Sequence, residues 1–391
     1  MEYYCYNGRR IETPTALFQN FRGRTNRNRK RTLFYIALVS TICTFGIFYQ
    51  MKQEERLLEQ RWNNVAANYS TDCDIAVAMA SDLQSTRGIY ASINSIVTNY
   101  QDSRKLCFFM FSTLEDADVR KQGMDCVFEL GQEESESQSE SQSEGLPSGL
   151  PSNVQIIHKQ IRRDTWEPVI YSQSELEQES KWALEYLYIR YMLNPPDVEG
   201  MQRVIWIDSD TIVRGNIAEL YDWDLQGRPV AGAKYWEPLK NYLCTNPRLE
   251  RIKMKTRFGS TSPFRVKDHL NTGLLVIDLY QMHRQKILDK WHDLVISHEL
   301  DCLWTESDKA FDLALNGHYA ELPNVWNVGY LGTQEYHRYN GACQKAKMLH
   351  WNGSGKPYTN GGRGVSLCVD QFDEYDVVSL QNKVECMIST S

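Results

Sequence analysis

No two of the ten cysteines stand in C-x-x-C spacing, so the sequence lacks the usual mark of a structural zinc site or a dithiol redox centre. The body of the chain also lacks excess positive charge. Residues 1–31 hold eight Lys/Arg against two Glu, which leaves −13 of the overall −7 on the other 360 residues. An acidic body of this kind excludes nucleic acid as a partner. With 42% hydrophobic and 24% charged residues in 391, neither a disordered nor a fibrous class fits, and the composition is that of a globular protein with one large domain or two small ones.

The charge asymmetry has a local source. The basic run RGRTNRNRKR (22–31) leads directly into TLFYIALVSTICTFGIFY (32–49), where no residue is charged. At about 1.5 Å per helical residue such a run spans about 27 Å, close to the roughly 30 Å of a hydrocarbon core. A cleaved signal peptide would end at small residues, whereas this run ends in Phe48 and Tyr49, so a transmembrane signal-anchor (32–50) is expected. Basic residues precede the span and a balanced segment follows it, which predicts a cytoplasmic tail (1–31), a stem (51–72) and a lumenal domain (73–391). This is a single-pass type II topology in the Golgi membrane.

Eight cysteines fall on the lumenal side, an even number in an oxidising space, and some are expected to form disulfides; eight cysteines allow 105 pairings, so the connectivity stays open. Asn68-Tyr69-Ser70 is a glycosylation acceptor just beyond the anchor.

Along the domain, IAVAMA (75–80) reads as a buried strand, residues 88–100 as an amphipathic helix with Ile89, Ile93, Ile96 and Val97 on one face, and 106–111 as a second strand. Residues 132–153 are Ser/Glu-rich, almost without apolar content, and read as a disordered insertion. A strand at 154–157, a helix over 174–193 stopped by Pro195 and Pro196, and the strand VIWI (204–207) follow. The order β-α-β throughout predicts a parallel sheet.

Chemistry enters where that last strand ends, at Asp208-Ser209-Asp210. Two carboxylates two residues apart in extended chain point to one side and can hold a divalent cation. Three other Asp-x-Asp triplets exist, at Asp72/Asp74, Asp116/Asp118 and Asp222/Asp224, but only this one directly follows a buried strand. LNTGLLVIDL (270–279) opens with Asn271 and Gly273, an amide and an unshielded backbone expected at the same sheet edge. HWNGSGKPY (350–358) offers an imidazole, a glycine-rich turn and a lysine, which suit a metal ion and an anionic phosphate.

WIDSDTIVRGNIAELYDWDL (206–225), LNTGLLVIDL, LPNVWNVGYLG (322–332) and HWNGSGKPY, in that order, resemble glycosyltransferase family 8, the retaining group that includes glycogenin and the galacturonosyltransferase-like enzymes. The likeness covers about residues 73–358 apart from the insertion. It implies an α/β GT-A fold: a Rossmann-like, mostly parallel central sheet flanked by helices, with manganese between donor and enzyme. Residue by residue it implies metal ligation by Asp208, Asp210 and His350, and nucleotide-sugar contacts from Ala80, Asp82, Arg190, Ser209, Gly353 and Lys356. It also places Asn271 and Asp308 at the reacting face of the sugar. Two positions depart from the family pattern: Lys309 stands where a glutamine follows the acid, and Tyr358 where a tryptophan closes the last motif.

The resemblance implies transfer of a hexosyl, uronosyl or pentosyl residue from a UDP-sugar donor to a glycan or glycoconjugate acceptor. Same-face attack is favoured over double displacement because no second acid beside Asp308 is evident. A catalytically inactive sugar- or nucleotide-binding relative of the same fold is the alternative, which Lys309 keeps open. A calcium-dependent adhesion module is a further one, though a histidine in the ligand set suits manganese better.

Overall fold

A computed structural model gives the structure of the chain. It describes residues 72–80, 85–112, 121–128, 150–160, 201–235, 269–296, 307–333 and 342–380, with short pieces between 4 and 60. The chain divides into two units, Met1–Val65 and Ala66–Ser391. In the first, Tyr4–Cys5 pairs antiparallel with Arg9–Arg10, and several residues between 41 and 60 are helical. Among the described residues no helix is long and apolar enough to cross a membrane, and most of the run 32–49 lies outside them. Asn68, the helix expected over 174–193 and most of the insertion 132–153 also lie outside the described residues.

The second unit is built on a seven-stranded sheet. Strand β1 (Ile75–Ala80) is buried at every position, the signature of a strand covered on both faces. Helix α1 (Thr86–Asn99) turns Ile89, Ile93 and Ile96 into the core, and β2 (Leu106–Ser112) lies parallel to β1. Next come β3 (Val154–Gln160), β4 (Arg203–Ile207), the short β5 (Thr211–Val213), α2 (Ile217–Tyr221) and β6 (Val230–Lys234). The chain continues through β7 (Leu270–Asp278), α3 (Leu279–Arg284), α4 (Ile287–Ile296), α5 (Ser307–Leu315) and β8 (Ala320–Glu321). It ends with α6 (Ala342–Lys345), β9 (Met348–His350), α7 (Asn360–Arg363), α8 (Val369–Asp373) and α9 (Val377–Leu380). The strand order is β8-β6-β7-β4-β1-β2-β3, and β5 and β9 form a separate antiparallel pair.

Two expectations are corrected here, the end of the strand at 270–279 and the character of the insertion. The sheet is mostly parallel as expected, with β1 to β4 all parallel and β7 antiparallel to both its neighbours, β4 and β6. Its reversal has a consequence for function: the first residues of β7, not the last, lie at the carboxyl edge of β4. Leu274 is opposite Ile207, and the Asp208 N–H donates to the Gly273 carbonyl at 3.0 Å. The strand also stops at Asp278, whose side chain caps α3 by accepting from the Gln281 N–H, so Leu279 belongs to a helix.

The second correction concerns the insertion, whose last residues are ordered. Val154 N–H donates to the Pro151 carbonyl, Leu106 N–H donates to the Asn153 carbonyl, and the Asn153 amide donates to the Asp102 carbonyl at 3.2 Å. Backbone hydrogen bonding to the adjacent strand holds residues of low apolar content in place. Disulfides join Cys73 to Cys107 and Cys343 to Cys368, and Cys126 is disulfide-bonded as well.

The core is contiguous across the sheet, with Val77, Met79, Phe108, Ile205, Ile207 and Val276 packed together and fully buried. Truncating the central strand by Ile205→Ala is expected to cost about 3 kcal/mol, the usual range for a buried isoleucine. Denaturant unfolding checks this, and a loss below about 1 kcal/mol would show that β4 is not central to the core.

Candidate active site

Asp208 to Asp210 form a turn between β4 and β5, not the extended chain expected from the sequence. The two carboxylates still converge, because the turn folds them toward His350, the last residue of β9. His350 is paired across the small sheet with Thr211, so register sets its imidazole beside the acidic turn. His350 Nε2 lies 3.7 Å from Asp208 Oδ2 and 3.3 Å from Asp210 Oδ1. One ligand atom from each of the three residues falls within 4.8 Å of the others, and among the described residues this is the group of ligating side chains that could hold a metal ion.

The orientation of the imidazole follows from its other nitrogen. Asn327 Nδ2 donates to the Asn271 carbonyl at 3.4 Å, which turns Asn327 Oδ1 toward His350 Nδ1 at 3.1 Å. An amide oxygen can only accept, so Nδ1 carries the proton, and the Nε2 of a neutral ring keeps its lone pair for a cation. Asp208 is steered in a similar way: Trp206 Nε1 donates to its Oδ1 at 3.2 Å. Oxygen, oxygen and nitrogen donors held in this manner fit a divalent ion of the manganese or zinc type better than calcium.

Room for the imidazole is made by a glycine. A Cβ built on Gly273 would stand 2.1 Å from His350 Cε1, so no larger residue fits without moving the ring. Asn271, two residues earlier, is buried; its Oδ1 accepts from the Gly273 N–H at 3.0 Å, and its Nδ2 donates to no described residue. That leaves one amide donor for a ligand.

The glycine-rich turn after β9 packs against the segment Gly329 to Gly332. Asn352 Oδ1 accepts from the Tyr330 N–H, and the Gly355 N–H donates to the Gly332 carbonyl at 2.8 Å. Gly353 has φ +105°, in the region where a side chain is strained, and it is exposed. Lys356 Nζ is ion-paired with Asp210 Oδ2 and donates to the Trp351 carbonyl at 2.8 Å. Burial works against ionisation of Asp210, but the His350 imidazole and the Lys356 ammonium beside it outweigh burial and hold its carboxyl well below the usual carboxylate range.

The remaining residues expected at the site are distributed as follows. Ser209 is half-buried in the acidic turn, and Ala80 ends β1 at the carboxyl edge of the sheet. Asp82 and Arg190 lie outside the described residues. Asp308 is the second residue of α5, and the side chains of residues 307–309 lie outside the described part. Asp116 and Asp118 lie outside the described residues, and the other two competing triplets are tied up elsewhere. Asp72 pairs with Lys105 at 2.6 Å, Asp74 accepts from the Lys105 N–H at 2.7 Å, Asp222 pairs with Arg104 at 2.7 Å, and Asp224 accepts from the Gln226 N–H at 2.8 Å.

Sequence reasoning missed several supporting residues. Asn327 sits in a motif recognised as a unit, LPNVWNVGYLG, but no local signal marks it as the partner of His350. His269 and Asp312 form a buried hydrogen-bonded pair, and Asp312 also accepts from the Leu270 N–H at 3.2 Å. One turn past Asp308 on α5, Asp312 thereby ties that helix to the start of β7, where Asn271 stands.

The family match and the curated relatives identify the class of the protein, a glycosyltransferase. The apo structure of the bifunctional glycosyltransferase WbbM matches with a TM-score of 0.52 at 17% identity, covering 81% of this chain and 52% of that one, a likeness of fold. Probable galacturonosyltransferase-like 6 of Arabidopsis thaliana is 25% identical over 293 residues, 73% of this chain and 74% of that protein. Probable galacturonosyltransferase-like 5 of the same plant is 30% identical over 191 residues, and there the chain spans about half the relative, 49%. The family model described as glycosyl transferase family 8 matches residues 64–361, and the chain belongs to that family.

Gly273→Ala and Asn327→Ala are each expected to weaken Mn²⁺ binding by about 10–100-fold while leaving the fold intact, since both disturb the orientation of His350 alone. Titration followed by electron paramagnetic resonance, with a thermal melt as control, checks this. Wild-type affinity in both variants would remove His350 from the metal site.

Proposed function

We propose that this glycosyltransferase moves a hexosyl, uronosyl or pentosyl residue from a UDP-sugar to a glycan or glycoconjugate, with retention at the anomeric carbon and with Mn²⁺ as the divalent ion. The observation that supports this most directly is the convergence of Asp208, Asp210 and His350 beside Lys356 and a glycine turn at the carboxyl edge of the sheet. That edge is where open α/β sheets take their ligands. The names of the galacturonosyltransferase-like relatives favour a uronosyl donor within this range.

When bound at the two aspartates and His350, the ion supplies Lewis-acid stabilisation of the charge that develops on the departing diphosphate. The chain adds the Lys356 ammonium, a half-buried point charge suited to a phosphate oxygen. The exposed Gly353 lets the backbone come close to the same anion, while Gly355 packs the turn against Gly332. Asn271 offers its free Nδ2 to a sugar hydroxyl. In same-face attack the bond between the anomeric carbon and the diphosphate oxygen breaks, the acceptor oxygen bonds that carbon, and the acceptor's proton passes to the departing phosphate. No protein acid is then required.

The basic run and the uncharged segment that follows it support a type II anchor with this domain in the Golgi lumen. Protease protection of the domain in sealed microsomes tests the orientation, and digestion without detergent would refute it.

A panel of UDP-sugars with Mn²⁺, scored by released UDP, tests the activity. Chelation is expected to abolish turnover, and Asp210→Ala to lower kcat/KM by at least about 100-fold. Turnover that survives chelator would overturn the proposal. UDP binding without turnover on any donor would point to the inactive relative, the alternative that Lys309 keeps open.

A further inference from the structure

The family match ends at residue 361, yet the described residues continue to 380 and pack against the turn that carries Lys356. Phe372 of α8 packs edge-on to Trp351, with centroids 5.8 Å apart at 85°, and lies 5.9 Å from the Tyr358 ring. Both rings belong to the turn that carries Lys356. Trp351 Nε1 donates to the Leu367 carbonyl at 2.7 Å, and the Leu367 N–H donates to the Leu331 carbonyl at 2.8 Å. The segment is therefore bonded to both halves of the glycine cradle.

Its far end is fixed to α1. Asp376, between α8 and α9, is 0% exposed and its carboxylate is paired with Arg87: the guanidinium Nε lies 3.1 and 3.0 Å from the two carboxylate oxygens, and a second nitrogen pairs with Oδ2. Asn94 and Asn99 of α1 donate to the Tyr375 carbonyl and hydroxyl, each at 3.1 Å. Arg87 adjoins Gly88, where a built Cβ would lie 2.6 Å from the Ser209 carbonyl oxygen and equally close to Tyr358 Cε1. The first turn of α1 thus touches the acidic turn, the end of the phosphate motif and the C-terminal segment at once.

A covalent tie completes the arrangement. The Cys343–Cys368 disulfide has a sequence separation of 25, and its loop contains His350, Gly353 and Lys356. Opening the turn locally would have to break the ring packing and the Arg87–Asp376 pair while still constrained by this crosslink.

We infer that residues 362–380 are a clasp that holds the His350–Lys356 turn against the acidic turn, with Asp376 and Arg87 as positioning residues for the diphosphate of the donor and the Cys343–Cys368 bond as a redox-sensitive part of the same device. The inference rests on the donor-binding reading above. The contacts of the clasp run to the turn that carries Lys356, to Leu331 and to α1, so the clasp is to govern affinity for the nucleotide and not the rate of transfer from a bound donor.

Asp376→Asn keeps the volume and removes the charge. In the full chain it is expected to weaken UDP binding in the presence of Mn²⁺ about tenfold, and to raise the donor KM equally, about the strength of one charge-assisted bond. At saturating donor, kcat should stay within about twofold of wild type. Cys343→Ser combined with Cys368→Ser, and wild type treated with a thiol reductant, should shift UDP affinity in the same direction with the Arg87–Asp376 pair intact. These two also read the clasp should Asp376→Asn fail to fold. A lowered melting temperature with unchanged UDP affinity, or a fall in kcat with unchanged affinity, would overturn the clasp. Wild type that binds Mn²⁺ but not UDP would overturn the donor reading and the clasp together, whereas wild type that binds both, with variants indistinguishable from it, would overturn the clasp alone.

Discussion

The site depends on one electrostatic arrangement: the buried Asp210 carboxylate between the His350 imidazole and the Lys356 ammonium. A carboxylate away from water is costly unless it is paired and its remaining lone pairs are occupied. Here the pairing brings together two separate stretches of chain, the β4–β5 turn and the end of β9 with the glycine turn that follows it. The backbone reinforces the contact, since the Trp351 N–H donates to the Asp210 carbonyl at 3.0 Å. The same charges make the site useful, because a group that favours ionised carboxylates beside a cation also favours a metal ion and an anionic phosphate.

How β7 runs decides whether this arrangement can form. An antiparallel strand between β4 and β6 carries its opening residues to the edge where Asp208 stands, so Gly273 leaves space for the imidazole and Asn271 faces the same pocket. Were β7 parallel, its Asp278 end would occupy that edge and the Asn-x-Gly opening would lie at the opposite one. A single reversed strand thus supplies both the clearance for a metal ligand and the amide donor beside it.

Much of this was legible in the sequence, for identifiable reasons. Buried strands such as Ile75–Ala80 and Arg203–Ile207 announce themselves as unbroken apolar runs, and the acidic triplet that matters is the one such a run delivers to a sheet edge. Strand direction is a different matter, since a run buried on both faces looks the same in either direction, and only the Asn271 and Gly273 opening pointed to which end of β7 lies beside the acidic turn. The roles of Asn327 and Trp206 depend on contacts across 23 positions in one case and two in the other, and neither residue type announces a partner. Asp376 is less legible still: it is one aspartate in an acidic tail, 289 residues from the arginine that neutralises it.

The two departures from the family pattern differ in kind. Tyr358 keeps an aromatic ring in place: it packs on Phe372, and its edge meets α1 at Gly88, the one position there without a side chain to block it. A ring of that type seals the boundary between helix and turn whether it is tyrosine or tryptophan, so this change preserves the packing that positions Lys356. Lys309 instead adds a positive charge next to Asp308, on the helix that the buried His269–Asp312 pair ties to Asn271. The candidate metal site has its own supports, in Asn327 and Gly273, so under the proposed donor reading a change at residue 309 leaves the hold on the metal as it is.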